Sequence, residues 1–124
     1  VDAVAAVADA GAVREAALAV ARQRGVEFGV AERTERRLNR TSAERALHLA
    51  RGVLERVGYE PYREDDGALR LRNCPFHSLA ARQRELVCAM NRELIDGLLR
   101  GLGNSTVGAT LAPRPGECCV ELRP

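Results

Sequence analysis

Apolar positions recur with a helical period in three stretches of the chain and with a period of two in four others. From Val1 to about Arg24, the residues Val4, Val7, Val13, Ala17 and Val20 fall at helical spacings, with Arg and Glu concentrated between Arg14 and Arg24. Gly11 is a point where this helix kinks or divides, since glycine costs about 1 kcal/mol relative to alanine in a helix. The Ala-rich face suits close helix packing. It fits a dimer seam or a connector to an upstream domain, and equally an amphipathic helix lying on its own core. Periodicity fades between Gly25 and Arg40, which predicts a connecting segment. Its Arg33, Arg36, Arg37 and Arg40 alternate with Glu32 and Glu35, and this favours a solvated face over a phosphate contact.

A second helix starts at Thr41-Ser42-Ala43-Glu44, where either hydroxyl can cap and Thr41 with Glu44 fits a capping box. Ala46, Leu47, Ala50, Val53, Leu54 and Val57 form its apolar stripe, and Gly58 is a suitable stop. His48 matches no metal spacing and reads as structural or exposed. The period then changes to two. Residues 59–64 form a strand that Pro61 pushes to a sheet edge, Asp65-Asp66-Gly67 turns the chain, and residues 68–72 alternate apolar and charged as a strand with one wet face.

The third helix runs from about Arg84 to Leu102. Leu86, Val87, Met90, Leu94 and Leu98 make one stripe, and Cys88, Ile95 and Leu99 a second, so it is covered on two sides and Cys88 is sheltered. Residues 105–112 read as a strand, Pro113-Arg114-Pro115-Gly116 as a turn, and Glu117 to Arg123 as the last strand. Alternation there puts Cys118, Val120 and Leu122 on the inner face and Cys119 on the outer one. The expected fold is α+β: N-terminal helices, then helix–hairpin–helix–hairpin with a mainly antiparallel sheet of about four strands. Residues 1–40 are expected to form a connector or dimerisation helix and linker, and residues 41–124 the α+β domain.

Composition narrows the function classes. The 124 residues suffice for one domain with a core that needs no disulfides. The net charge of +2 gives no whole-chain footprint for nucleic acid, and with only two Tyr, two Phe and no Trp, base stacking is disfavoured. All 19 basic residues are arginine, a bias we read as compositional rather than chemical. No apolar run reaches the length of a membrane span and no secretory signal is visible, so no membrane partner and a cytoplasmic location are expected. The chain opens at Val1 with a helix under way, and a further N-terminal portion is expected.

The candidate chemistry lies in the C-terminal half. All four cysteines and one of the two histidines sit in three segments: Asn73-Cys74-Pro75-Phe76-His77, Cys88 and Cys118-Cys119. Two disulfides would suit a secreted chain, a bridge between the adjacent Cys118 and Cys119 would be strained, and four unrelated buried thiols are a poor account of such grouping. A shared metal in a reducing compartment is the preferred reading. Pro75 suits a first helical position, which brings Cys74 and His77 to one side of a helix start where thiolate is favoured. Cys-x-x-His is a weak motif alone. Cys88 and Cys118 complete a set of four metal ligands, with Cys119 as the alternative to Cys118. Three thiolates and an imidazole make a closed zinc site; an iron–sulfur cluster is the alternative, usually with four thiolates. No paired base stands near a cysteine and no phosphate loop is present, so the chain is expected not to be an enzyme. A thiol-dependent redox enzyme or a small-ligand-binding domain is the alternative.

Three stretches carry a resemblance: Leu71-Arg72-Asn73-Cys74-Pro75-Phe76-His77-Ser78-Leu79-Ala80, Glu85-Leu86-Val87-Cys88-Ala89-Met90-Asn91 and Pro115-Gly116-Glu117-Cys118-Cys119-Val120. From about Thr41 onward the chain resembles the C-terminal domain of bacterial transcriptional regulators with an N-terminal ArsR-type winged helix-turn-helix, related to the repressors of iron–sulfur assembly genes. That resemblance implies a sensing and dimerising domain, a homodimer, and DNA binding only through a winged helix that this sequence does not contain. Carried over by position, it implies Cys74, Cys88, one of Cys118 and Cys119, and His77 as ligands.

Overall fold

The computed structural model describes the backbone of residues 3–76 and 82–124, and the side chains of 9–76 and 82–124. Among the described residues three helices, α1 (Ala3–Glu35), α2 (Ala43–Val57) and α3 (Arg84–Gly101), accompany four strands, β1 (Pro61–Arg63), β2 (Leu69–Leu71), β3 (Gly108–Leu111) and β4 (Val120–Arg123). The strands form one antiparallel sheet in the order β1-β2-β4-β3. This is the expected α+β class, with Pro61 on an edge strand where its missing N–H costs no ladder bond.

The first helix departs most from expectation. It neither breaks at Gly11 nor stops at Arg24, but continues through Gly25 and Gly29 to Glu35. The reason is tertiary. Gly25 and Gly29 on α1 meet Gly97 and Gly101 on α3 so closely that a Cβ at Gly25 would drive into the Leu94 carbonyl, and one at Gly101 into the Val26 carbonyl. Glycines that cost helix propensity locally are thus what allows two backbones to touch. Arg22 fastens the crossing to Asp96 at 3.0 Å, and Arg33 donates to the Gly101 carbonyl at 3.2 Å. The helix ends at Glu35, and two residues on Arg37, with φ 55°, has left the right-handed region.

Helix α2 is capped by Ser42, not Thr41. The Ser42 hydroxyl accepts from the Arg45 N–H at 3.2 Å, while the Thr41 hydroxyl donates to the Leu102 carbonyl at 3.0 Å. Gly58, at φ 111°, stops the helix as expected. His48 is exposed. Leu47 and Leu54 of α2, Leu69, Leu71, Val120 and Leu122 of the sheet, and Ile95 and Leu98 of α3 form a single core cluster. Cys118 belongs to it and Cys74 packs against it. Cover on the second side of α3 comes from α1.

The wet face expected for β2 is a correction. Arg70 is fully buried. Its guanidinium donates to Glu121 at 3.0 Å and to the Ala112 carbonyl at 2.8 Å, and it lies 3.5 Å from Glu117. These bonds bring the connection between β3 and β4 back over the sheet, where Tyr62 donates to Glu117 at 2.9 Å. The charge is buried because carboxylates and carbonyls surround it, the condition under which a buried ion is tolerated.

Candidate metal centre

Each cysteine segment is placed by a different part of the fold. The Asn73 amide donates to the Gly58 carbonyl at 3.0 Å, and Pro75 lies over Gly58, so the stop of α2 holds the segment carrying Cys74. Cys88 stands in the first turns of α3, on a half-buried face. The Cys118 N–H donates to the Leu71 carbonyl at 3.2 Å, and the Ala112 N–H to the Cys119 carbonyl at 2.7 Å, which locks the approach to β4.

These placements converge. Cys74, Cys88, Cys118 and Cys119 all line one cavity of about 430 Å³, together with Asn91 and Arg84. Within it Cys88 and Cys119 are joined as a disulfide, with Cα atoms 6.1 Å apart, while Cys74 and Cys118 are free thiols. That Cα separation lies in the ordinary disulfide range. His77, expected as the fourth ligand, lies outside the described residues. Among the described residues no group of three or more His, Cys, Asp or Glu side chains is arranged to hold a metal.

The expectation that Cys119 faces outward is corrected. Both adjacent cysteines are buried, Cys118 at 2 % exposure and Cys119 at 6 %. Alternation assumed that the last strand begins at Glu117, but it begins at Val120. Cys118 and Cys119 therefore precede the pleat. The chain bends at Cys119, which sends one sulfur into the core and the other to α3.

Burial favours the neutral form of the Cys118 thiol. Burial pushes the Cys118 thiol up to about 11; the Val120 N–H opposes this and the nearby Cys74 adds to it. A thiol so placed stays protonated at neutral pH unless a cation compensates its charge, as a bound metal does. Three further residues were not singled out by spacing. Tyr59, 2 % exposed, donates through its hydroxyl to Asn91 Oδ1, and burial keeps the phenol protonated. Asn91 donates in turn to the Cys74 sulfur at 3.4 Å. Arg70 approaches the Cys118 carbonyl at 3.5 Å. Only Asn91 left a trace in the sequence, as a polar residue three positions from Cys88 on a helix face that is otherwise apolar.

The donor set suits a thiophilic metal in kind: four cysteines from three segments line one cavity, Cys118 and Cys119 buried and Cys74 and Cys88 half-buried, with His77 three residues beyond Cys74 in the sequence. A disulfide between Cys88 and Cys119 uses two of the same sulfurs, so the bridged form and the metal-holding form exclude one another. No family model, curated protein or solved structure matches the chain. No helix of the described residues is long and apolar enough to cross a membrane.

Proposed function

We propose that this chain is the metal-binding, effector-sensing and dimerising domain of a bacterial transcriptional regulator, whose DNA-binding winged helix lies outside it. The observation that carries the reading is the convergence of all four cysteines on one cavity. In the reduced protein, Cys74, Cys88 and Cys118 supply thiolates and His77 the fourth ligand, with Cys119 as the alternative to Cys118. The ion is zinc and the alternative an iron–sulfur cluster; either gives a state that a cytoplasmic regulator can read. Support for a homodimer comes from α1, which leaves Val13, Val20 and Phe28 exposed along its length.

The domain's own residues do the holding. The clamp of Asn73 on Gly58 and the anchoring of Cys118 on Leu71 bring two thiols from distant segments to the same core edge. Loss or exchange of the metal would loosen the connection between β3 and β4 and the start of α3 together. Because α3 packs along α1 through glycines, that change is passed to the helix that precedes the domain. The absorption spectrum of anaerobically purified, reduced protein is the test. A colourless protein with stoichiometric zinc supports the zinc form, and a brown one with bound iron the cluster form. A fully reduced protein binding neither sinks the reading.

A second reading is favoured by one observation, the Cys88–Cys119 disulfide. A domain that cycles between that disulfide and two thiols is a thiol-redox protein, with Cys74 and Cys118 beside it in the same cavity. A single fast-alkylating thiol in metal-loaded protein supports this reading, and uniform protection of all four supports the metal.

A further inference from the structure

Asn91 is 3 % exposed in the middle of α3, among apolar neighbours. A primary amide brings one acceptor and two N–H donors to such a place, and each needs a partner. The acceptor is taken by the hydroxyl of Tyr59, itself buried at 2 % exposure at the start of the hairpin. On the donor side Nδ2 reaches the Cys74 sulfur at 3.4 Å. A metal-bound thiolate carries no proton, so it repels a carbonyl oxygen and accepts an N–H. The opposite orientation of the amide would set Oδ1 against the sulfur. Among the described residues Asn91 Oδ1 is the one acceptor for the Tyr59 hydroxyl proton, so that proton is satisfied in the orientation in which Asn91 donates to the sulfur.

We propose that Asn91 is a positioning residue for the metal centre: held through its carbonyl by Tyr59, it aims an amide N–H at the Cys74 sulfur, fixing that sulfur's direction and drawing charge from it. The inference rests on the metal reading of Cys74. A hydrogen bond to a ligating sulfur is one of the means by which a protein tunes a thiolate-held metal. It also gives the buried amide a role that a simple partner for Tyr59 would not need, since an aspartate or a backbone carbonyl would satisfy the phenol equally well.

The test uses cobalt(II) as the probe metal, added anaerobically to reduced protein, because sulfur-to-cobalt charge transfer reports the electron richness of the thiolates. Asn91→Asp keeps the acceptor for Tyr59 and its size while removing the donor. The expected result is a shift of the charge-transfer band to longer wavelength, with cobalt affinity lower by about 10- to 100-fold. Tyr59→Phe keeps the donor but frees its orientation, and shifts the band in the same direction by less. Should Asn91→Asp not fold, wild-type protein loaded with cadmium-113 answers alone, through a scalar coupling between the metal and an Asn91 side-chain amide proton. An unchanged band in folded Asn91→Asp, or no such coupling, overturns the role of Asn91 and leaves the metal site standing. The absence of any charge-transfer band in wild-type protein overturns the metal reading instead.

Discussion

Arg70 and Glu121 are direct cross-strand partners on β2 and β4, and their side chains meet at 3.0 Å with the guanidinium 1 % exposed. The pair is the centre of the fold's polar face. It stands where a short strand, a returning connection and the approach to Cys118 come together. Removing one partner leaves an uncompensated buried charge, which typically costs about 3–5 kcal/mol.

Arg70→Met is accordingly expected to destabilise the domain by about that amount in urea unfolding. Arg70→Lys is expected to rescue little, since one ammonium cannot reach Glu121, Ala112 and Glu117 at once. A loss below about 1 kcal/mol would show that the pair is replaceable by apolar packing.

Glu121 also sets an acid dependence. The Arg123 guanidinium beside it holds its carboxyl below the ordinary 4.5; burial opposes this and Arg70 reinforces it. A folded value below the unfolded one means that the stabilisation is complete above pH 4.5 and drains away as pH falls through the folded value. Urea midpoints measured from about pH 7 downward should fall more steeply below that point in wild type than in Glu121→Gln. Parallel curves would remove Glu121 as a source of the slope.

The glycines of α1 are expected to split by sign. Gly25→Ala meets the Leu94 backbone and should cost about 1–3 kcal/mol. Gly11→Ala has nothing within 4 Å and should stabilise by up to about 1 kcal/mol, the difference in helix propensity. Thermal melts of both variants settle the matter. A neutral Gly25→Ala would mean that α1 and α3 can move apart freely.

Much of this was legible locally. Helix α2 and its stop at Gly58 follow from an unbroken stripe and a single αL-tolerant residue, and the edge position of β1 follows from Pro61. What could not be read depends on residues far away in the chain. Gly25 and Gly29 look like breakers until Gly97 and Gly101 are set against them. Arg70 looks solvated until Glu121, 51 residues later, is brought beside it. At the site, grouping the cysteines was enough to expect convergence. The side that Cys119 takes was not, because it turns on where β4 begins. The Tyr59–Asn91–Cys74 chain joins three segments, and its one local trace is Asn91, a polar residue on an otherwise apolar helix face.

Air-oxidised protein is expected to yield a Cys88–Cys119 peptide on digestion without reductant, with Cys74 and Cys118 open to alkylation after unfolding. Recovery of a Cys74–Cys118 bridge or of scrambled pairs would contradict the pairing.

Metal content tests the central claim most directly. Protein purified anaerobically and kept reduced should carry one zinc ion, or one iron–sulfur cluster, per chain. Cys74→Ser and Cys88→Ser should each lower metal content and melting temperature together. Reduced wild-type protein free of metal, or either serine variant retaining full metal, would contradict a site built on these cysteines.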